Sequence, residues 1–97
     1  MFDIRLSEKK EILLAGRFDA SQIDTANAFF DAIDRSHHVN FKDLDYISSA
    51  GLGVLLAAQK RLKENGQELV LTHMSKHIMD IFKWAGFDMI FTIQSGD

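Results

Sequence analysis

Two adjacent hydroxyls, Ser48 and Ser49, stand where an apolar strand pattern in the sequence changes to an apolar helix pattern. A capping hydroxyl, followed by small residues and by leucines at helical spacing, predicts the helix start. Ser49 is expected at the positive end of this helix, where backbone amides lack intrahelical partners and stabilise a negative group. We therefore expect the fold to tolerate a phosphate at this junction.

The pair Ser49 and Gly51 also invites comparison with the nucleophile elbow of serine hydrolases, which lies between a strand and a helix. Ile47 stands where that motif has its first glycine, and the usual hydrolase fold is too large for 97 residues. The sequence also lacks a glycine-rich phosphate loop ending in Lys-Ser or Lys-Thr. The residues therefore predict a protein that is not an enzyme and that uses no cofactor.

Histidines are the candidates for metal chemistry, and their spacing does not favour it. The chain has four of them: His37, His38, His73 and His77. The first two are adjacent and would point to opposite faces of a strand, while the other two flank an expected helix cap at Ser75. Surface or core positions are favoured, and no metal ligand is predicted.

Three carboxylates, Asp19, Asp43 and Asp45, come near Ser49 only if the loops before the first and second helices meet. For Asp19, helix capping and a role beside Ser49 are both consistent with the sequence. Asp43 and Asp45 are interpreted as residues of a solvated turn, which joins a short strand to the two serines.

The composition limits the class of protein. A chain of 97 residues, 46% of them hydrophobic, suits a single domain, residues 1–97, with one core. The absence of cysteine excludes disulfides and thiolate chemistry and fits a cytoplasmic protein. A net charge of −3 disfavours nucleic-acid binding. Neither a signal peptide nor a segment that inserts into a membrane is expected.

Hydrophobic periodicity and turn signals predict the elements that position Ser49. Strands are expected at residues 2–6, 11–16, 37–41, 68–72 and 87–93. Helices are expected from the Asp19–Ser21 region to about residue 35, from the serine junction to about residue 64, and from Ser75 to Gly86. The first two strands would be antiparallel and the later ones parallel, because helices connect them. This is an α/β domain with a mixed sheet and helices packed against it.

The predicted second helix has a second apolar face besides the one expected in the core. Its leucines, Leu52, Leu55, Leu56 and Leu62, should face the sheet. The opposite side carries Ala50, Gly53, Val54, Ala57 and Arg61. Small apolar residues allow another backbone to approach closely, so this side is interpreted as a docking surface for a partner. Alanine is also simply a good helix former, which is the alternative explanation.

The run from Tyr46 to Leu56 closely resembles the signature of the STAS domain of bacterial anti-sigma factor antagonists. Segments 16–20, 66–71 and 82–93 are similar to other parts of that family, so the resemblance covers nearly the whole chain. In the family, a serine two residues before the Gly-Leu-Gly run is phosphorylated, and the equivalent by that spacing is Ser49. Ser48 is the second choice. The resemblance implies that Asp19 lies near the phosphorylated serine, together with its neighbours Ser48, Ala50 and Gly51.

The resemblance implies an anti-sigma factor antagonist in a bacterial partner-switching pathway. The unphosphorylated protein would bind an anti-sigma factor that is also a serine kinase, phosphorylation of Ser49 would release it, and a serine phosphatase would reset the cycle. Ser48 stands where many members have aspartate, and Ala50 where they have serine or threonine. A C-terminal helix that many members carry is expected to be missing, which would expose an apolar seam and favour weak self-association.

Two other functions stay open at this point. A constitutive STAS adaptor, bound to a larger complex such as the ATPase of a lipid transporter, would use Ser49 as a helix cap and contact residue without phosphorylation. A small ligand-binding domain would use the same helix N-terminus to bind an anion.

Overall fold

The chain begins with a β-hairpin whose alternating apolar residues face the core. The structure, a computed structural model, describes residues 2–94. β1 (Phe2–Leu6) pairs antiparallel with β2 (Ile12–Phe18), and Ile4 lies opposite Leu14. Ser7 closes the turn, because its Oγ accepts hydrogen bonds from the N–H groups of Lys9 and Glu11.

Within residues 2–94, one sheet contains five strands in the order β1-β2-β3-β4-β5. The later strands are β3 (His37–Ile47), β4 (Leu69–Thr72) and β5 (Thr92–Gln94). Each of these three pairs in parallel with the strand before it. The predicted mixed sheet, an antiparallel pair followed by parallel strands, is confirmed.

Helices connect the parallel strands. They are α1 (Ile23–Asp31), preceded by a 3-10 turn at Ala20–Gln22, then α2 (Ser49–Lys63) and α3 (Lys76–Trp84). Along the strands, alternate residues are buried under the helices: Ile12, Leu14, Val39, Phe41, Leu69 and Leu71. The residues between them, such as Leu13 and Val70, are only partly buried. The core therefore lies between the helices and one face of the sheet.

β3 is longer than predicted and continues to Ile47, so the solvated turn at Asp43 and Asp45 is wrong. Both aspartates lie on the strand and are exposed. The pairing of β2 with β3 shifts register at two places, and each shift gives β3 one extra residue. Such bulges interrupt the alternation of apolar and polar residues, and this interruption made the second half of β3 look like a turn.

The ends of two other elements also differ from the prediction. α1 stops at Asp31 rather than near residue 35. The final strand begins at Thr92 instead of residue 87, because Phe87–Met89 form a 3-10 turn after Gly86, whose φ is 75°. The expected start of α3 is confirmed, since the Ser75 Oγ accepts a hydrogen bond from the Ile78 N–H.

Two observations concern the limits of the domain. In the part of the chain that the structure describes, no helix is long and apolar enough to cross a membrane. The expectation that a C-terminal helix is missing falls on residues 95–97, which lie outside the described residues.

Candidate functional site

The start of α2 is attached to the end of β2. The Ser48 N–H donates a hydrogen bond of 2.9 Å to the Phe18 carbonyl, directly after the parallel pair Phe18 and Ile47. Asp19 follows Phe18 in the chain, so Asp19 and the two serines lie at the carboxyl ends of neighbouring strands. The loops before the first and second helices therefore begin side by side, as a role for Asp19 near Ser49 requires.

Gly51 explains how closely α2 approaches these strand ends. A Cβ at this position would lie 3.0 Å from the Ile47 Cγ1 and 3.1 Å from both the Phe18 ring and the Phe18 carbonyl oxygen. A side chain at this position would therefore fit only if the first turn of α2, Ile47 or Phe18 shifted by a few tenths of an ångström. At Gly53, two residues later and on the exposed side of the helix, a Cβ would meet no atom within 4 Å.

Ser48, rather than Ser49, caps α2. Ser48 is extended, and its Oγ accepts a hydrogen bond of 3.1 Å from the Gly51 N–H. Its carbonyl accepts the Leu52 N–H at 2.9 Å, which begins the helical hydrogen-bond pattern. Ser49 is the first helical residue and is exposed, and its hydroxyl has no hydrogen-bond partner among residues 2–94. The expected place of Ser49 at the helix N-terminus is confirmed, whereas its use as a helix cap is wrong.

Asp19 caps the 3-10 turn that leads into α1. Its Oδ1 accepts hydrogen bonds from the Ser21 hydroxyl (2.6 Å) and the Ser21 N–H (3.0 Å), and its own N–H donates to the Gln22 Oε1 (2.9 Å). The bond from the Ser21 hydroxyl, then the bond from the Ser21 backbone, lower the pKa of the exposed Asp19 carboxyl below its ordinary value. Arg17 adds a smaller effect in the same direction. Asp19 is therefore a charged cap.

The face of α2 that points away from the core differs in part from the predicted one. Val54 is only 5% exposed and packs in the core, so its assignment to the docking surface is wrong. Leu56, predicted to face the sheet, is half-buried instead. The buried arc of α2 is wider than a single sheet-facing stripe: α2 also contacts α1, and Val54 and Ala58 are both buried.

We call five exposed or half-exposed residues on this side of α2 the outer stripe: Ala50, Gly53, Leu56, Ala57 and Lys60. All but Ala50 line a shallow groove of about 350 Å³, together with Arg61 and Glu64. Lys60 was missed in the sequence, although the helical spacing from Gly53 and Ala57 places it on the same face. The first charge on the stripe, at Lys60, is therefore about three turns from Ser49.

Arg61 is engaged within the chain. Its guanidinium donates hydrogen bonds to the carbonyls of Phe30 (2.6 Å) and Ile33 (2.9 Å). These carbonyls lie at the C-terminal end of α1, where a helix lacks internal donors and favours a positive charge. Arg61 thus links α2 to the end of α1, and we leave it out of the proposed docking surface.

The histidines lie apart from the serine junction. The His37 Nδ1 is 2.8 Å from the Lys10 carbonyl at the amino end of β3, and the His73 Nδ1 is 3.0 Å from the Thr72 Oγ1. Within residues 2–94, no group of three or more His, Asp or Glu side chains is arranged to hold a metal ion.

Comparison with known proteins assigns this fold and junction to a family. A family model described as "Mlab, STAS domain" matches residues 4–93, so the chain belongs to the STAS domain family and the resemblance in the sequence is confirmed. BtrV of Bordetella bronchiseptica, provisionally named an anti-sigma factor antagonist, is 46% identical over 50 residues, which are 52% of this chain and 43% of that protein. The anti-sigma-B factor antagonist of Staphylococcus aureus is 29% identical over 62 residues, 64% of this chain and 57% of the relative.

The chain thus spans about half the length of these curated relatives. A structural comparison agrees with the fold. The Bacillus cell fate determinant SpoIIAA, solved in its phosphorylated form, superposes with a TM-score of 0.72 over 100% of this chain and 92% of that one. Its sequence identity is 16%, so this likeness concerns the fold alone.

Proposed function

We propose that this protein is a non-enzymatic antagonist that binds an anti-sigma factor with serine kinase activity and is released when Ser49 is phosphorylated. This proposal rests on the different surroundings of the two serines. Ser48 holds the helix cap, while the Ser49 hydroxyl is exposed and unbonded among the described residues. A kinase can reach Ser49 without removing the cap of α2, and this makes Ser49 a better acceptor than Ser48.

The charge introduced by phosphorylation acts on binding rather than on folding. A phosphate adds roughly −1.5 to −2 charges. On Ser49 this charge stands at the N-terminus of a 15-residue helix, where the free amides and the helix dipole stabilise it. Ala50 and Gly53 beside it carry no charge, so a partner packed on the outer stripe would have to accommodate an unpaired anion.

Asp19 is proposed as the neighbour that tunes this site. Its carboxylate stays charged because Ser21 donates two hydrogen bonds to it, and it lies at the end of the strand next to the junction. A fixed negative charge there adds to the negative potential that a partner meets after phosphorylation.

The named relatives support the proposed partners. BtrV and the Staphylococcus aureus protein carry names of anti-sigma factor antagonists, and SpoIIAA is described in a phosphorylated form. We extend these properties to this chain as a proposal, with a kinase, a serine phosphatase and a cytoplasmic location.

A constitutive adaptor is the second candidate function, and the length of the outer stripe favours it. The stripe continues from Ala50 to Lys60, far beyond the reach of a group on Ser49. A partner that contacts the whole stripe within a larger complex, such as a lipid-transporter ATPase, would stay bound when Ser49 changes.

The test combines phosphorylation with binding. The protein is incubated with ATP and the cognate kinase, and mass spectrometry locates the phosphate. We expect it on Ser49, unchanged in Ser48→Asn, which keeps a capping side chain but has no hydroxyl, and absent in Ser49→Ala. Ser49→Asp should bind the kinase at least about tenfold more weakly.

Two results would contradict the switch. One is phosphate found only at residues other than Ser49. The other is equal kinase binding by Ser49→Asp and the unmodified protein. An ATPase recovered equally by both forms in a pull-down would favour the adaptor instead.

A further inference from the structure

Two large apolar side chains project into solvent at one corner of the domain. Trp84, the last residue of α3, is 86% exposed, and Met89, the last residue of the following 3-10 turn, is 90% exposed. Large apolar residues of a folded domain are rarely so exposed, and Trp and Met are enriched where proteins meet. We call Lys83, Trp84, Asp88 and Met89 the α3 corner.

The α3 corner is held in place by the core. The Phe87 ring lies 6.2 Å from both the Phe82 and the Phe91 rings, so the 3-10 turn is tied to buried aromatics. The Gly86 N–H donates a hydrogen bond of 3.0 Å to the Lys83 carbonyl at the end of α3. Trp84 and Met89 are thus presented on ordered backbone, which reduces the entropy lost when a surface covers them.

The charges at the corner are unpaired, unlike those on the rest of the helix. In its first turn, α3 has an ion pair between Lys76 and Asp80 at 3.4 Å. Lys83 and Asp88 are both exposed and have no ion-pair partner among residues 2–94. The corner therefore offers one free cation and one free anion beside its two apolar side chains.

We propose that a second copy of this chain covers the α3 corner in a two-fold symmetric dimer. In a two-fold symmetric dimer the same patch of both copies forms the contact. If residue i of one copy contacts residue j of the other, then j of the first copy also contacts i of the second. Lys83 of one copy can then face Asp88 of the other copy, twice, while the tryptophans and methionines pack at the centre. The net charge of −3 and the presence of Asp88 disfavour an anionic membrane as the occupant.

The position of the corner leaves the serine junction free. β4 ends at Thr72, and α3 runs back so that β5 begins at Thr92, opposite Val70. The corner is therefore at the amino ends of these strands, whereas Ser49 follows the carboxyl end of β3. A dimer through the corner would present two accessible Ser49 junctions, whether or not these act as switches.

The dimer should be weak because the corner contributes four residues from each copy, whereas stable interfaces use roughly 20–30 residues a side. Sedimentation velocity on the full chain should show association near a Kd on the order of 0.1 mM. Trp84 is the single tryptophan, so its emission should shift to the blue with rising concentration. Trp84→Ala should weaken association at least about tenfold and leave the thermal midpoint unchanged, because the side chain is 86% exposed.

Charge reversal tests the symmetry of the contact. Lys83→Asp alone and Asp88→Lys alone should each weaken self-association, since both create like-charge contacts across the axis. An equimolar mixture of the two variants should associate at least as well as the unmodified chain, because opposite charges then face each other twice. Lys9→Asp, an exposed change on the hairpin turn, is the matched control and should have no effect.

Three results would overturn the proposal. They are a chain that stays monomeric at about 1 mM, a mixture that associates no better than either variant alone, and a Lys9→Asp variant as impaired as the others. Binding of Trp84 to anionic vesicles without self-association would likewise assign the corner to a membrane instead. None of these outcomes bears on phosphorylation of Ser49.

Discussion

The inner and outer faces of α2 each have a glycine near the helix start. The inner glycine lies close to other residues, and the outer one does not. Gly51 faces Ile47 and Phe18, where a Cβ would be 3.0 to 3.1 Å from other atoms. At Gly53 a Cβ would meet nothing within 4 Å. Glycine inside a helix costs about 0.5–1 kcal/mol relative to alanine. Among residues 2–94, contacts explain that cost at Gly51 but not at Gly53, and close packing of the proposed partner on the outer stripe would explain it there.

The same contrast separates α2 from α3. Both helices start with a serine whose Oγ accepts a backbone N–H, at Ser48 and Ser75. The next residue is Ser49 in α2, but in α3 it is Lys76, which pairs with Asp80 on the exposed side. The uncharged first turns of the outer stripe are therefore a property of α2 and not a requirement of helices in this fold.

The largest expected effect is at the inner glycine. Gly51→Ala should destabilise the domain by about 1–3 kcal/mol, because the added methyl group overpacks the contact with Phe18 and Ile47. Urea unfolding measures the free energy of unfolding. A Gly51→Ala variant as stable as the unmodified protein would show that the start of α2 can move away from the sheet at little cost.

The two serines should differ next. Ser48→Ala removes the helix cap and should cost about 1 kcal/mol. Ser49→Ala removes an exposed hydroxyl and should change stability by less than about 0.5 kcal/mol. Equal losses in the two variants, measured by thermal unfolding, would mean that Ser49 contributes to the cap after all.

The outer glycine should respond in the opposite direction to the inner one. Gly53→Ala should stabilise the isolated domain by about 0.5–1 kcal/mol, since alanine favours the helix and its methyl group points into open space. If the outer stripe contacts the kinase, the same variant should bind it more weakly in a calorimetric titration. Unchanged binding would remove Gly53 from the interface.

The smallest effect concerns Asp19 and pH. Its pKa is lowered in the folded state, so its contribution to stability is present above the pKa of the unfolded chain and is lost as the pH falls through the lower folded value. The unmodified protein should therefore lose more stability on acidification through this range than Asp19→Asn, which keeps a capping side chain. Parallel acid dependence of the two unfolding midpoints would contradict the role of Asp19 as a charged cap.

Local patterns in the sequence were enough for the number and order of the elements, and a short family signature was enough for the candidate acceptor. The period of the apolar residues predicted the hairpin, the helices and the order of antiparallel and parallel strands. The resemblance to the STAS signature selected Ser49 as the acceptor, and the structure places this residue exposed at the N-terminus of α2. These features depend on neighbours within a few residues, and such neighbours are visible in one chain.

Only the tertiary structure decided which face of α2 is free and which serine holds the cap. Val54 is buried on a helix that contacts α1 as well as the sheet, and Asp43 pairs with Ala15 on a strand that bulges against β2. Ser48 caps the helix because its N–H is bound to the Phe18 carbonyl, which sets where the strand ends and the helix starts. Each of these outcomes depends on contacts between residues far apart in the chain. The sequence therefore determined the position of the serine junction, whereas packing determined that Ser48 caps the helix and that Ser49 is exposed.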